Sequence, residues 1–294
     1  MKVSHEHKRK FQKTILDFYR KNRRDFPWRP PALTLRKSGT LDPYRVLVSE
    51  VMLQQTQANR VVPFFVSFIE KFPSVRALAG ALRSETLRAW QGLGYNRRAL
   101  NLKRAAEMVV LNYRGSIPRD AVSLCSLPGV GPYTARAVMA FAWDLPTVFI
   151  ETNIRTVYLH FFFKNRKNVS DSELLSLISE TFPTNKVHPS SRSSGELCSS
   201  REWYYALMDY GSFLKKTVGN PNTRSKHYTV QGAFQGSRRE VRGAILRQAL
   251  AKGVISASDI SLPNGVTGTP VAEILRELET EGFLREIAGK FRVA

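Results

Sequence analysis

Between residues 42 and 142 apolar side chains return every third or fourth position, and no stretch alternates convincingly with period two. Strands need the two-residue period and amphipathic helices the 3.6-residue one, so this stretch is constrained to fold as successive helices. Pro and Gly cut the pattern at KFPS, GLGY, RGSIP and LPGVGP, which marks the turns between helices. Residues 5–22 are expected to form a basic amphipathic helix ahead of this body, with Phe11, Ile15, Phe18 and Tyr19 on one face. A Pro-rich loop then leads to Asp42. Further helices are expected over NIRTVYLHFFF (residues 153–163) and from about Trp203 to Lys215, with the polar, Ser-rich TNKVHPSSRSSGELCSSRE between them as a loop.

After Gly236 the composition shifts. SRREVRGAILRQALAKG reads as one helix and SASDISL as a short second. GTPVAEILRELETEGF reads as a third, with Thr269 as cap and Pro270 in the first turn. LREIAGKFRVA reads as a β-hairpin turning near Ala288 and Gly289. Three helices followed by a hairpin is the order of a winged helix. The expected fold class is therefore mainly α. A terminal helical subdomain is assigned residues 1–28 and 143–236, a second helical subdomain residues 29–142, and a small winged-helix-like domain residues 237–294.

Length and hydrophobic content, 294 residues and 43%, allow a sizeable core spread over two or three domains. The net charge is +21. Such an excess destabilises the compact state by self-repulsion, and a polyanionic partner is the natural reason to keep it. Residues 237–294 hold nine Lys/Arg against seven Asp/Glu, a net +2, so +19 of the +21 lies before them and nucleic-acid contact is expected on the helical body. No apolar run approaches the ~18 residues of a spanning helix. MKVSHEHKRK is not followed by an apolar signal core. No membrane partner is expected, and a cytoplasmic, nucleoid-associated or nuclear place fits better than secretion. The two cysteines, Cys125 and Cys198, are distant and cannot supply a four-thiolate zinc or iron–sulfur site.

Two stretches carry chemistry. In DPYRVLVSEVMLQQTQ, Asp42 can cap a helix and Pro43 suits its first position, while Tyr44, Val48, Val51 and Met52 share a face. Glu50 breaks that pattern, with Val46, Leu47, Leu53 and Gln54 one turn away. Aliphatic neighbours raise a carboxyl pKa by desolvation, which suits a general acid; the bland alternative is a Glu on a solvated helix side. In LPGVGPYTARAV, a short helix capped by Asp120 is followed by a new helix starting at Gly131 and Pro132. Gly129 and Gly131 permit a sharp turn and close approach of backbone to a ligand, and the new helix N-terminus is an anion site. Its bland alternative is an ordinary tight turn.

Trp28 and Arg29 in WR, DPYRVLVSEVMLQQTQ, GLGYNRRALNL and LPGVGPYTA together resemble, in order, the helix-hairpin-helix superfamily of DNA glycosylases, most closely the MutY-type adenine glycosylases. The likeness covers residues 10–215 and is strong through Ala142. It implies a groove between two helical subdomains and a base flipped into a pocket. The helical hairpin, residues 120–138, would lie on one strand's phosphates through Leu127, Gly129, Val130, Gly131 and Thr134, and is compatible with a monovalent cation there. Glu50 matches the family's general acid: a protonated adenine ring leaves neutral. Arg29 is assigned to substrate and DNA, as are Gln54, Gln55 and Thr56 at the far end of the Glu50 helix; such polar side chains can fill the gap a flipped base leaves. Leu93 and Tyr95 resemble the wedge and stacking residues, or are ordinary core residues of a loop. Tyr133 stands where a lyase branch, like endonuclease III, has a Schiff-base lysine, which implies a monofunctional enzyme. Tyrosine also occurs there in mismatch thymine glycosylases, so it does not choose the base.

Three departures qualify the likeness. The family's Asp-Gly-Asn is Glu151, Thr152 and Asn153 here. Glu151, with Asn153 beside it, is expected to stabilise the oxocarbenium-like sugar; alternatively it stabilises a helix N-terminus. The four cluster cysteines that follow the equivalent of MDYGSFLKK are missing from KKTVGNPNTRSKHY, so no cofactor is expected. A winged unit replaces the Nudix-like reader of 8-oxoguanine. Its third helix is acidic (Glu273, Glu277, Glu279 and Glu281 against Arg276), so DNA contact there is assigned to Arg285, Lys290 and Arg292, or the unit meets a protein partner. The resemblance thus implies a monomeric, monofunctional glycosylase of base excision repair, acting on double-stranded DNA with a mispair or lesion and removing adenine opposite guanine or 8-oxoguanine. A mismatch thymine or uracil glycosylase is the alternative. A non-catalytic DNA-binding protein on the same scaffold is a third reading, disfavoured because both carboxyls are kept.

Overall fold

The computed structural model describes residues 3–29, 39–183, 198–263 and 270–294. The chain forms two compact units, one from residues 1–47, 119–125 and 130–230, the other from residues 48–118, 126–129 and 231–294. The cap expected at Thr269 and most of the Pro-rich and Ser-rich loops lie outside the described residues.

In the first unit, α1 (His5–Asn22) starts where Ser4 Oγ accepts the His7 N–H. Its Phe11 and Ile15 are buried. Phe11 meets Tyr158, Phe161 and Phe162 of α9 (Thr152–Phe162) and Trp203 of α11 (Ser200–Thr217) edge-on, at centroid distances of 5.1–5.8 Å. Aromatic pairs of this geometry contribute ~0.5–1.5 kcal/mol beyond their buried area, so this hub fixes three helices on each other. The helix α10 (Asp171–Thr181) goes beyond the sequence expectation, although Ser170 and Glu173 close a capping box at its start. The short α7 (Ala121–Cys125) and α8 (Pro132–Trp143) pack together as the helical hairpin.

The boundary between the units falls inside α2 (Pro43–Leu53). Asp42 Oδ1 accepts the Tyr44 N–H at 3.0 Å, the expected cap. Burial then runs all round the helix: Tyr44, Val46, Leu47, Val48, Ser49, Glu50, Val51 and Met52 are all buried. A helix covered on every side is interior, so the single apolar face read from the sequence is only part of its contact surface. Gln55 is left-handed, with φ 54°, and α2 stops at Leu53. Gln54, Gln55 and Thr56 therefore stand in the turn after the helix, not on its last turn.

The second unit continues with α3 (Ala58–Lys71), α4 (Val75–Gly80), α5 (Arg83–Trp90) and α6 (Arg97–Tyr113), packed around Phe65, Phe68, Trp90, Leu102 and Val109. It also holds α12 (Arg238–Lys252), α13 (Val271–Thr280) and a small antiparallel sheet. The strands β1 (Val254–Ile255), β2 (Leu284–Ile287) and β3 (Lys290–Val293) lie in the order β1-β3-β2. Ala288 and Gly289, at φ 50° and 73°, make the hairpin turn, as two consecutive positive φ angles do in tight hairpins. The helix expected in SASDISL is only a 3₁₀ turn over Ala257–Asp259, and β1 precedes it. Asp259 Oδ2 accepts the Ser256 N–H at 2.8 Å, a local bond that competes with helix propagation. Pro270 is the N-cap of α13 rather than part of its first turn.

The acidic face of α13 is matched within the unit. Arg238 pairs with Glu273 and Glu277, Arg242 with Glu277 and Glu281, and Arg97 with Glu281, at 2.6–3.2 Å. Pairs like these, with partly exposed side chains, contribute little stability, but they neutralise Glu273, Glu277 and Glu281.

Candidate functional site

The predicted residues are divided between the two units, and the helical hairpin contributes residues to both. In the second unit the centre is the end of α2. Glu50 is 5% exposed, and Val51 and Met52 beside it are 2% and 0%. The last carbonyls of a helix have no partners within it. Arg98 supplies them: its Nη1 donates to Val51 O, Met52 O and Gln54 O at 3.1, 2.8 and 2.6 Å, and its Nη2 to Gly94 O at 2.9 Å. Burial pulls the Arg98 pKa down to about 10, which leaves it charged at neutral pH. One buried guanidinium thus ties the end of α2, the Gln54 turn and the GLGY loop together. Arg98 was not a sequence candidate. Its signal was available: it lies four residues before Leu102, in line with the buried face of α6.

Gln54 Nε2 donates to Gly129 O at 3.3 Å, joining the polar turn to the helical hairpin. Gln55 is exposed, and Thr56 Oγ1 donates to Gln54 O at 3.2 Å. Tyr95 is partly exposed and left-handed, at φ 50°, and its hydroxyl accepts from Arg239 Nη1 of α12 at 2.9 Å. Leu93 is 3% exposed and in this conformation is a core side chain of its loop. Of the two expected loop residues, only Tyr95 offers surface.

In the helical hairpin, Asp120 Oδ1 accepts the Ser123 N–H at 2.8 Å, and hydrogen bonds from Ser123 hold the Asp120 carboxyl below its ordinary range. Gly129 has φ 79°, and a Cβ there would come within 2.9 Å of Asn101 Cβ. A Cβ on Gly131 would meet nothing within 4 Å, so space is open before the α8 N-terminus. Leu127, Val130 and Thr134 are 2%, 5% and 2% exposed, while Gly129 and Gly131 are exposed. The three buried side chains anchor the turn, and what they leave for a phosphate is backbone. A cation at this turn would need its carbonyls, and that of Gly129 already accepts from Gln54.

In the first unit, Glu151 is the N-cap of α9. Its Oε1 accepts from Asn153 N at 2.8 Å and Ile154 N at 2.9 Å, and its Oε2 from Asn153 Nδ2 at 3.3 Å. The extra methylene, compared with Asp, is folded back onto the helix start. Lys215 Nζ, from α11, donates to Asn153 Oδ1 at 2.8 Å. Tyr133 stands edge-on to Phe149 at 5.7 Å, and Phe149 stacks on Tyr204 at 3.9 Å. Beside the start of α9 lies a cavity of about 210 Å³ lined by Thr152, Arg155, Lys215, Asn222, His227 and Tyr228 among others.

Arg29 departs from its expected role as a DNA contact. It is 8% exposed, donates from Nη1 to Asp209 Oδ1 at 2.8 Å and lies 4.2 Å over the Tyr205 ring. Arg24 Nε holds the same oxygen at 2.7 Å. Asp209 is 2% exposed, and a carboxylate that deep needs such partners. Arg29 therefore fastens the segment after α1 to α11. Of the two thiols, Cys125 is exposed, and burial pushes that of Cys198 well above its ordinary pKa.

Residues 48–183 match the family described as HhH-GPD superfamily base excision DNA repair protein. The chain is 31% identical over 237 residues to an adenine DNA glycosylase of Mycolicibacterium smegmatis, covering 79% of this chain and 78% of that protein. It is 40% identical over 143 residues to an adenine DNA glycosylase of Mycobacterium tuberculosis, covering 49% of this chain and 44% of that protein. Among solved structures, a thermostable thymine-DNA glycosylase superposes with a TM-score of 0.55 at 27% identity, covering 70% of this chain and 87% of that one. A trapped endonuclease III–DNA covalent intermediate superposes with a TM-score of 0.53 at 19% identity, covering 72% and 86%, and bears on the fold alone.

Proposed function

The chain belongs to the helix-hairpin-helix superfamily of base excision DNA repair proteins, among relatives of the adenine DNA glycosylases, and from that premise we propose that it hydrolyses the N-glycosidic bond of a mispaired adenine. The observation that carries the proposal is Glu50, a carboxyl 5% exposed on a helix whose residues from Val46 to Met52 are all buried. Desolvation favours the neutral acid, and a neutral acid can give its proton to the adenine ring. The base then departs with the electron pair of the C1′–N9 bond, and positive charge develops on the sugar. Glu151 supplies the negative charge that this cation needs, as carboxylates do in glycoside hydrolysis. Water adds at C1′ and its proton restores Glu50. Backbone N–H groups at Gly129 and Gly131 hold a phosphate of the bound strand, and Gln54, Gln55 and Thr56 meet the DNA beside the vacated position.

The test is a panel of duplexes containing each mispair and common lesion, treated with the protein and then with alkali to reveal abasic sites. Excision of adenine opposite guanine or 8-oxoguanine is expected, and Glu50→Gln should abolish it while DNA affinity stays within a few-fold. Near wild-type excision by Glu50→Gln would remove the proposed acid. A second reading, a mismatch pyrimidine glycosylase, is favoured by the altered Glu151-Thr152-Asn153 and by the 27% identity to a thymine-DNA glycosylase. Excision of thymine or uracil opposite guanine, with adenine untouched, would establish it instead.

A further inference from the structure

The carboxylate assigned to the sugar cation has a neighbour that the proposed chemistry leaves unused. Lys215 is half-buried near the end of α11, while Lys216 beside it is exposed. Lys215 Nζ donates to Asn153 Oδ1 at 2.8 Å. The other end of the same amide, Asn153 Nδ2, faces Glu151 Oε2 at 3.3 Å, and Asn153 N holds Glu151 Oε1 at 2.8 Å. An asparagine amide has two ends of nearly equal shape and opposite polarity, and by itself it can sit either way round. An ammonium has three donors and no acceptor, so it can accept only the orientation with oxygen toward it. That orientation turns the NH₂ group onto Glu151. The reverse orientation would set a carbonyl oxygen against a carboxylate.

We propose that Lys215 is a positioning residue for excision: it fixes the Asn153 amide so that the Glu151 carboxylate is held in one orientation at the start of α9. The inference rests on the role given to Glu151 under the proposed function. Two further observations agree with it. Gly211, one helical turn before Lys215, lies so close to the Asn153 backbone that a Cβ would come within 2.9 Å of Asn153 Cα. The lysine is thus delivered by a helix that already touches the residue it orients. Burial lowers the Lys215 pKa, Glu151 opposes that shift, and Arg155 and Arg24 add to it, so Glu151 is the carboxylate that favours the charged lysine there.

The experiment compares single-turnover excision at saturating enzyme, and separately the DNA dissociation constant, for wild type, Lys215→Met, Lys215→Gln, Lys216→Met, Asn153→Ala and the Lys215→Met/Asn153→Ala double variant. The thermal midpoint of each is recorded. Loss of a charge-assisted hydrogen bond that orders the reacting geometry predicts a rate lower by about tenfold or more for Lys215→Met, with affinity within about threefold. Lys215→Gln keeps a polar side chain but can present oxygen or NH₂, so it should lose rate as well; it decides the matter if the Met variant does not fold. Lys216→Met should excise like wild type. Because Lys215 acts through Asn153, adding Lys215→Met to Asn153→Ala should cost nothing further. The proposal is overturned if folded Lys215 variants keep the wild-type rate, or if the two losses multiply. It is also overturned if the loss appears only in affinity with a shallower salt dependence, which would make Lys215 a phosphate contact. Glu151→Gln is measured beside them: if it excises at the wild-type rate, the role given to Glu151 fails, and with it the basis of this inference.

Discussion

Gly211→Ala is the smallest change that should separate structure from chemistry in this protein. A methyl group built on Gly211 would lie 2.7 Å from the carbonyl carbon and 2.9 Å from the Cα of Asn153. Carbon atoms pack best at ~3.5–4.0 Å, so α9 and α11 have to part by about 1 Å, and both contacts are backbone rather than a flexible side chain that can swing aside. Overpacking of this kind costs about 1–3 kcal/mol. For a cooperative unit of ~150–250 residues each kcal/mol moves the thermal midpoint by ~2–4 °C, which predicts a fall of roughly 2–12 °C. The displaced element carries Glu151 and Asn153 at its first turn, and a misplacement of ~1 Å at reacting groups can cost about 10²-fold in rate. Calorimetry gives the midpoint, and single-turnover excision well below it gives the rate, with DNA affinity measured alongside. The expected result is a folded protein that binds within a few-fold of wild type and excises about two orders of magnitude more slowly. A variant with the wild-type midpoint and rate would refute the packing argument. A lower midpoint with an unchanged rate would show that the start of α9 does not need its present place for excision.

The remaining predictions concern product, thiols and salt. With Tyr133 in place of a Schiff-base lysine, the product should be an intact abasic strand that breaks only after alkali; a covalent protein–DNA adduct trapped by borohydride would contradict this. In the native protein a disulfide reagent should titrate one thiol quickly, Cys125, with the buried Cys198 reacting only after denaturation. The preparation should be colourless, chelators should leave its thermal midpoint unchanged, and stoichiometric iron would show the ligand reading wrong. Replacing Arg285, Lys290 and Arg292 together by Ser should leave a steep dependence of affinity on salt, lowering the log–log slope by no more than about 3, because +19 of the +21 net charge precedes residue 237. Loss of all binding at low salt would move the main contact to the C-terminal sheet.

What could be read from the sequence was what short-range physics controls. Asp42 and Pro43 open α2 because a cap and a pre-set φ act within one turn. Asp120 caps α7 and the Ala288–Gly289 turn closes β2 on β3 for the same kind of reason. The Ser170 and Glu173 capping box of α10 is a local signal of the same kind. α2 ends earlier than its sequence suggests, because nothing in LQQTQ announces the left-handed Gln55. The arrangement around the candidate site was harder to see. Arg29 reads as an exposed basic residue until Asp209, 180 positions away, is brought beside it. The spacing of Arg98 puts it on the buried face of α6, but not beside the carbonyls at the end of α2 that it serves. Lys215 gains meaning only through Asn153, 62 positions earlier. Each of these is a polar group whose partner is chosen by packing, and a one-dimensional pattern holds no record of that choice.

The contact between Arg239 and the Tyr95 hydroxyl makes the C-terminal sheet and helices thermodynamically visible to the loop that carries Tyr95. If Tyr95 stacks in DNA, the hydrogen bond to α12 and the stack compete for one side chain. Whatever free energy the bond contributes when DNA is absent is subtracted from binding when DNA arrives. The same quantity appears with opposite sign in the stability of α12 on its unit, since coupling between two equilibria is reciprocal. A macromolecule that docks on the C-terminal elements and draws Arg239 away would then tighten DNA binding, and DNA would tighten that docking by the same factor.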